Sequence, residues 1–407
     1  MKMVVRCFSI NLICLIILSG CATYQAQKVG PTPIIQADDE ILEAQLMDVG
    51  IIVFNSAELT EEKAKKEGTH PDIRKAESHF IPYHLKNTLH QSSQWGAVRV
   101  VPAETNSVDL LVKGEILESN GEHLSLKIEV VDATGKSWLK KSYKEKASAA
   151  LYSGNSAGEK DAYQDIYNTI ANDMAKYKAQ LSPDEIEKIR SISKLKFAQD
   201  FAPDAFGEYL KKDKKGMITI NRLPANEDPM MGRLLKIRER EYMYVDTLNE
   251  YYDVFYNEMW SSYENWRTLN LTEQQAIKKI KREAAIRQIV GALLLAGAIV
   301  MDSGNSSSVR ALQIGMVVIG GQVIIDGFNI SKEAEIHSAA IQELSESFGN
   351  EMKPVVMEFQ GKKYELTGSA EEQFKRWREL LHKIYKAETG FDLDSPTESA
   401  TESKTNP

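Results

Sequence analysis

Cysteine is almost missing from this chain, and so are several other signals that would assign a function. Cys7, Cys14 and Cys21 all lie within the first 21 of 407 residues. The remaining residues can therefore form neither a disulfide framework nor a cysteine-based metal site. Basic residues are not in excess either, because 50 Lys and Arg stand against 58 Asp and Glu. The composition thus gives no support for nucleic-acid binding.

Catalytic signatures are also lacking. No G-x-S-x-G, Walker or G-x-G-x-x-G pattern occurs in its required context. His70, His79, His84 and His90 fall within 21 residues, but none of their spacings is the i, i+4 pair that a helical metal site uses. We therefore predict no metal, no cofactor and no catalytic residue. Two carboxylates brought together by folding would still allow a hydrolase.

The first 21 residues, MKMVVRCFSINLICLIILSGC, have the organisation of an export signal. Two basic residues precede the apolar run 10–18, which is too short to span a bilayer, since spanning needs about 20 apolar residues. The run ends in LSGC at 18–21, which resembles the bacterial lipobox. The resemblance implies cleavage between Gly20 and Cys21 and three acyl chains on Cys21, enough for stable anchoring. The alternative is an ordinary signal peptide followed by a chance cysteine.

The residue after the lipobox predicts the destination. Ala22 follows Cys21, whereas in enteric-type sorting an aspartate there retains a lipoprotein in the inner membrane. For a Gram-negative host the sequence therefore predicts lipid anchoring in the outer membrane, facing the periplasm. Removing residues 1–20 takes away two basic residues and changes the formal net charge from −8 to −10. Residues 21–45, which contain Gly and Pro, are predicted to be a lipidated tether.

Residues 46–146 predict a small α/β sheet domain. The apolar run 49–54 has the length of a buried strand, and residues 124–130 alternate apolar and polar side chains as a half-buried strand does. Asn-Gly at 120–121 and Thr-Gly at 134–135 predict hairpin turns. The predicted order is a strand, a helix, a second strand and three antiparallel strands.

The helix of this domain is expected to begin at Ile81-Pro82, after a charged surface loop or loose helix over 59–78. The pattern of VDLLVKGEILESNGEHLSLKIEVVDATGKSWLKKSYKEKA resembles the sheet of periplasmic lipoproteins related to the curli secretion lipoprotein and to the amino-terminal domain of the Tol-system translocation protein. The resemblance covers about 100 of 407 residues. That group contains assembly factors, synthase activators and secretion pores, so the resemblance implies binding more than a reaction.

Residues 159–287 predict a mainly helical region. Apolar residues recur at i, i+3, i+4 and i+7 between 163 and 177, which is typical of a helix with one buried face. The helical pattern is predicted to run on to 212. Ser-Pro-Asp-Glu at 182–185 forms a capping box with proline in the first turn, so a helix is predicted to start there.

Nine aromatic residues crowd into the 25 positions 242–266. Apolar and aromatic side chains recur at helical spacing between Tyr252 and Trp266. We therefore favour a buried core stripe over an exposed aromatic surface that would bind a glycan or a partner helix. Tyr242, Tyr244 and Tyr251 are expected to stay exposed, and they are the candidate interaction residues on this helix.

Residues 288–327 predict an apolar helical hairpin that is rich in small residues. Two uncharged runs, 289–301 and 311–325, flank a polar turn. As helices each would be about 20 Å long, against a bilayer core of about 30 Å. Gly315 and Gly320 are predicted to be packing glycines that let helices approach closely. Three interpretations stay open, namely a buried hairpin, an oligomer or partner interface, and insertion into a membrane.

The predicted fold class is α+β, with a small α/β sheet domain followed by a large, mainly helical region that includes the apolar hairpin. The predicted divisions are a lipoprotein signal peptide at 1–20, a lipidated tether at 21–45, a sheet domain at 46–146, a helical region at 159–287, the apolar hairpin at 288–327, a helix, β-hairpin and C-terminal helix at 328–391, and a disordered tail at 392–407. The predicted function is a non-catalytic scaffold or assembly factor for an envelope or export machine, which binds an envelope protein or itself. The alternatives are an oligomeric secretion or pore subunit and an envelope glycan-binding protein or hydrolase.

Overall fold

The computed structural model describes residues 31–56, 59–147, 161–301, 332–350, 354–359 and 362–389. The described residues from Ile34 onwards belong to one compact unit. The predicted cleavage and lipidation residues Gly20 and Cys21, the glycines Gly315 and Gly320, and the predicted tail at 392–407 lie outside the described residues.

A five-stranded mixed sheet organises the described chain, in the spatial order β2-β1-β3-β4-β5. Its strands are β1 (Val49–Ile52), β2 (Val98–Val101), β3 (Leu110–Ser119), β4 (His123–Asp132) and β5 (Ser137–Lys146). β1 pairs in parallel with β2 and β3, whereas β3, β4 and β5 form an antiparallel meander. The predicted order of strands and helix is confirmed, and so is the combination of helices with a sheet.

The alternation of β4 sets which face of the sheet is buried. Leu124, Leu126, Ile128 and Val130 are at most 1% exposed. Lys127 and Glu129 point the other way, because successive residues of a strand face opposite sides. Burying one such aliphatic side chain stabilises the fold by about 1.5–3 kcal/mol relative to leaving it in water. The pattern therefore fixes the register of the meander.

The helix that follows β1 begins earlier than predicted. The chain forms α1 (Glu61–Glu67) and then α2 (Pro71–Gln91), which packs on β1, β2 and β3. The prediction of a surface segment over 59–78 is wrong for α2, since Ile73 and Ala76 are fully buried. Many residues of α2 besides these two join the same core.

Pro82 lies inside α2 instead of starting it. A proline has no amide to donate to the carbonyl four residues earlier, which here belongs to Ser78. That oxygen instead accepts a hydrogen bond from the backbone amide of Phe54 at 3.0 Å. The segment after β1 thus replaces the missing donor, and the helix continues through a residue that normally interrupts it.

Part of the predicted tether belongs to the compact unit. The amide of Ile35 donates to Asn172 Oδ1 at 2.7 Å, and the amide of Ala37 donates to the carbonyl of Ser92 at 3.1 Å. Ile34 packs against the hydrophobic core. Hydrogen bonds and apolar burial therefore hold residues 34–37 in place, so the prediction of a tether extending to 45 is wrong for this part.

The next helices are α3 (Gln164–Lys178), α4 (Pro183–Phe201) and the short α5 (Pro203–Phe206). The predicted capping box is confirmed, because the Ser182 amide donates to Glu185 Oε2 at 2.8 Å and the Glu185 amide donates to Ser182 Oγ at 3.3 Å. The predicted continuation of the helical pattern to 212 is wrong. A two-stranded hairpin, β6 (Leu210–Lys212) and β7 (Ile218–Ile220), follows α5, and its turn uses the positive φ of Gly216.

A helix of 73 residues, α6 (Pro229–Met301), is the longest described element. It contains the first uncharged run of the predicted apolar hairpin, 289–301, and the second run lies outside the described residues. The chain then forms α7 (Lys332–Asn350), the hairpin β8 (Val355–Phe359) with β9 (Lys362–Leu366), and α8 (Ala370–Thr389). Among the described residues, no helix combines the length and the apolar composition that crossing a bilayer requires.

Candidate interaction site on the long helix

The aromatic stripe of α6 lies in the core, as favoured from the sequence. Tyr252, Phe255, Met259, Tyr263 and Trp266 are at most 4% exposed. Phe80 of α2 sits among them, with its ring centroid 4.6 Å from that of Tyr256 and 4.8 Å from that of Tyr263. The stripe therefore joins α6 to α2 and presents no open aromatic platform for a glycan.

The expectation that Tyr244 is exposed is wrong. Its side chain is fully buried, and its ring centroid lies 5.5 Å from that of Trp377 on α8. Tyr244 and Leu248 continue the stripe of Tyr252 toward the start of α6 at four-residue spacing. The same periodicity that identified the stripe would have placed Tyr244 in the core.

Tyr242 and Tyr251 are half-buried, so the prediction of exposure is confirmed only in part. The Tyr242 hydroxyl donates to the backbone carbonyl of Ser107, and its ring lies 4.4 Å from the Arg99 guanidinium. Burial raises the pKa of Tyr242, which keeps the hydroxyl protonated as a donor. Tyr251 packs against the second hydrophobic cluster. Tyr242 thus positions the chain before β3.

A buried ionic group joins α6 to α2 and to the chain before α3. Arg267 Nη1 lies 2.8 Å from Asp161 Oδ2, and its guanidinium lies 4.4 Å from the Tyr263 ring. The Tyr263 hydroxyl donates to Glu77 Oε1 at 2.6 Å, and Arg74 Nε donates to Glu77 Oε2 at 3.2 Å. All five side chains are at most 4% exposed.

The pKa values of the two carboxyls in this group shift in opposite directions. Burial raises the pKa of Glu77, and the nearby Arg74 and hydroxyl donors offset only part of that rise. Burial acts on Asp161 in the same direction, but the charge and hydrogen bond of Arg267, together with the Tyr163 amide, outweigh it and hold the pKa of Asp161 below its ordinary value. Asp161 therefore depends on Arg267 for its charged state.

Other polar side chains of α6 satisfy backbone groups of the sheet domain. Arg238 Nε donates to the carbonyl of Ser107 at 2.9 Å. Asn249 accepts from the Val100 amide and donates to the Val100 carbonyl, both at 2.9 Å. Asn270 donates to the carbonyls of Gly68 and Asn120. These contacts bind α6 to loops and strands between residues 68 and 120, and composition gave no sign of them.

His84 is enclosed rather than available to a ligand. Its Nδ1 lies 2.6 Å from the Tyr256 hydroxyl and its Nε2 lies 2.9 Å from Gln164 Oε1. Burial lowers the pKa of His84 and keeps the ring neutral. Within the described part of the chain no three His, Cys, Asp or Glu side chains are placed to hold a metal ion.

The opposite side of α6 is open. An open surface cleft of about 540 Å³ lies between α6, α2 and β2. It is lined by Tyr83, Lys86, Val98, Arg99, Asp246, Asn249, Glu250, Asp253 and Val254. Most of its charged side chains are hydrogen-bonded within the protein. Arg99 donates to both oxygens of Asp246, at 2.6 and 3.0 Å, and the Tyr83 hydroxyl donates to Asp253 at 2.9 Å.

Two apolar side chains stand beside these acids on the same open side. Met243 is 63% exposed and Val254 is 53% exposed, and Glu250 lies between them along the helix. A broad, shallow surface that combines acidic and apolar groups suits a protein partner better than a small substrate, which binds in an enclosed pocket. We call the surface formed by Met243, Asp246, Glu250, Asp253 and Val254 the acidic face of α6.

A half-buried carboxyl, Glu145 on β5, makes stability depend on pH. Burial and the charges of Asp165 and Asp161 raise the pKa of Glu145 to about 7. A folded carboxyl with a raised pKa binds more protons than the unfolded one, so stability falls as pH rises from about 4.5 to about 7. We expect Glu145→Gln to stabilise the protein at pH 8 by on the order of 1 kcal/mol, a value reduced for partial exposure.

Urea denaturation at pH 8 and pH 5 measures this effect. The same variant at pH 5 is the control, because the native carboxyl is then already protonated and glutamine changes little. An equal effect at both pH values would contradict the prediction.

Comparison with protein-family models, curated proteins and solved structures found no match to this chain.

Proposed function

We propose that this chain is an outer-membrane-anchored periplasmic lipoprotein that acts as a non-catalytic scaffold or assembly factor for an envelope or export machine. The LSGC box at 18–21 supports the anchor. The division of α6 into a bonded side and an open acidic face supports the scaffold role. A helix fixed to a sheet by buried polar contacts can present a surface without rearranging, which reduces the entropy cost of binding.

The partner that fits the acidic face is an envelope protein segment with basic and apolar side chains. The exposed Glu250 supplies negative charge, and Met243 and Val254 supply apolar contact. Asp246 and Asp253 add carboxylates that Arg99 and Tyr83 also contact. Such complementarity speeds association and sets specificity. The binding-type roles implied by the sheet resemblance agree with this proposal.

The anchor is tested by labelling cells with radioactive palmitate. We expect incorporation into the parent chain and none into a Cys21→Ser variant, which should also leave the outer-membrane fraction. A labelled Cys21→Ser protein, or an unlabelled parent, would refute the lipoprotein proposal.

The partner surface is tested by in-cell photo-crosslinking from probes at Met243 and Val254. Leu223 and Leu42 are 65% and 69% exposed and serve as matched control positions away from this face. We expect both face probes to capture one and the same envelope protein, with a basic surface, and Glu250→Lys to reduce the yield several-fold. Equal capture from the control positions would refute the proposed face, and capture of a second copy would favour the oligomeric alternative.

A further inference from the structure

The last third of α6 carries a charge pattern opposite to that of the acidic face. Five basic residues and one acidic residue occur between 278 and 287, in a chain whose net charge is −8. The basic residues are Lys278, Lys279, Lys281, Arg282 and Arg287. The uncharged run 289–301 follows directly. We call residues 278–301 the basic-apolar segment.

The structure places both parts of this segment on one uninterrupted helix. α6 continues through Met301, so no turn separates the cations from the apolar run. Asn270 is bonded to the carbonyls of Gly68 and Asn120, and Lys278 forms an ion pair with Glu122. Lys278, the first residue of the basic-apolar segment, is therefore also the last residue of α6 with a described side-chain contact to the sheet domain.

The exposed cations are available at the surface. Lys279 and Arg282 are exposed, and the side chain of Lys278 keeps 55% exposure despite its ion pair. Cations beside an apolar stretch on one helix suit binding to an anionic bilayer surface, because the charges attract lipid head groups and the apolar residues can enter the interface.

The length of the apolar run decides between lying in the bilayer surface and crossing the bilayer. Its 13 residues extend about 20 Å as a helix, whereas a bilayer core is about 30 Å thick. The run therefore suits shallow insertion beside the head groups. Like charge disfavours a basic partner.

We propose that the basic-apolar segment binds an anionic phospholipid surface, as a membrane contact separate from the acyl anchor. The cations make the first, salt-sensitive contact, and the apolar run then enters the interface. The proposal does not depend on lipidation of Cys21, so it goes beyond the proposed function.

Vesicle sedimentation tests this contact with the mature chain carrying Cys21→Ser, which has no acyl chains. The probes are vesicles of phosphatidylglycerol with phosphatidylethanolamine and vesicles of phosphatidylcholine alone. We expect clear binding to the anionic vesicles, little to the neutral ones, and loss at high salt. Lys279→Glu with Arg282→Glu should lower the partition coefficient about tenfold or more.

The matched control is Lys140→Glu with Lys144→Glu, the same charge change on two lysines of β5 whose side chains are each 60% exposed. It should bind anionic vesicles within about threefold of the parent, since those lysines lie outside the segment. Equal loss in both double variants, equal binding to neutral vesicles, or self-association without lipid binding would overturn the proposal. Failure of palmitate labelling would leave it standing.

Discussion

An Arg267→Leu variant is expected to lose about 3–5 kcal/mol of unfolding free energy. Arg267 is 2% exposed and lies 2.8 Å from Asp161, which is 4% exposed. Without the guanidinium, the Asp161 carboxylate must either stay charged without its strongest partner or take up a proton. Leucine also removes the cation that lies over the Tyr263 ring. The loss is measured by urea denaturation at neutral pH.

Two further variants identify the cause. Lys140→Ala removes an ion pair whose lysine side chain is 60% exposed, and should cost less than about 1 kcal/mol. Arg267→Leu combined with Asp161→Asn should cost less than the sum of the single changes, because no unpaired charge is then left behind. An unfolding free energy of Arg267→Leu within about 1 kcal/mol of the parent's would show that this pair does not hold α6 in place.

Gly121→Ala is expected to be far more damaging than Gly216→Ala, although both glycines have a positive φ, of +77° and +88°. For a non-glycine residue that backbone conformation costs about 1–2 kcal/mol in either turn. At position 121 a Cβ atom would also lie 2.6 Å from the backbone carbonyl oxygen of Arg267. At position 216 the nearest atom is the flexible Lys212 Cε, 3.9 Å away.

The clash at 121 is with the backbone of α6, so either the turn or the long helix must move. We expect an extra loss of about 1–3 kcal/mol for Gly121→Ala over Gly216→Ala, the usual cost of overpacking. Denaturation of the two variants side by side measures the difference. Equal losses would mean that α6 adjusts its position on the β3–β4 turn without cost.

The strands and turns of the antiparallel meander were predictable because their signals are local. The alternation over 124–130 and the Asn-Gly and Thr-Gly turns depend on neighbours in sequence, and the structure follows them. The helix start at Ile81-Pro82 was predicted wrongly because a distant donor lets the helix continue through this proline. That donor is the amide of Phe54, which hydrogen-bonds to the carbonyl that proline leaves without an intrahelical partner. No window of sequence around residue 82 contains that partner.

The candidate site was likewise predictable only where its signal is local in sequence. Periodicity identified the buried aromatic stripe and, extended two turns, would have included Tyr244. The ionic group could not be found this way, because Arg267, Glu77 and Asp161 meet from three separate segments of the chain. Many Asp, Glu and Arg residues could have been paired, and only the folded geometry selects these.

Asn249 also limits how this protein can aggregate. Its amide occupies both backbone groups of Val100 on the edge strand β2, so a strand from another molecule cannot pair with that residue. At the other margin β5 carries Lys140, Lys144 and Lys146, whose side chains are 60–65% exposed and repel an incoming strand of like charge. Strand addition to this sheet is therefore disfavoured at Val100 and along β5.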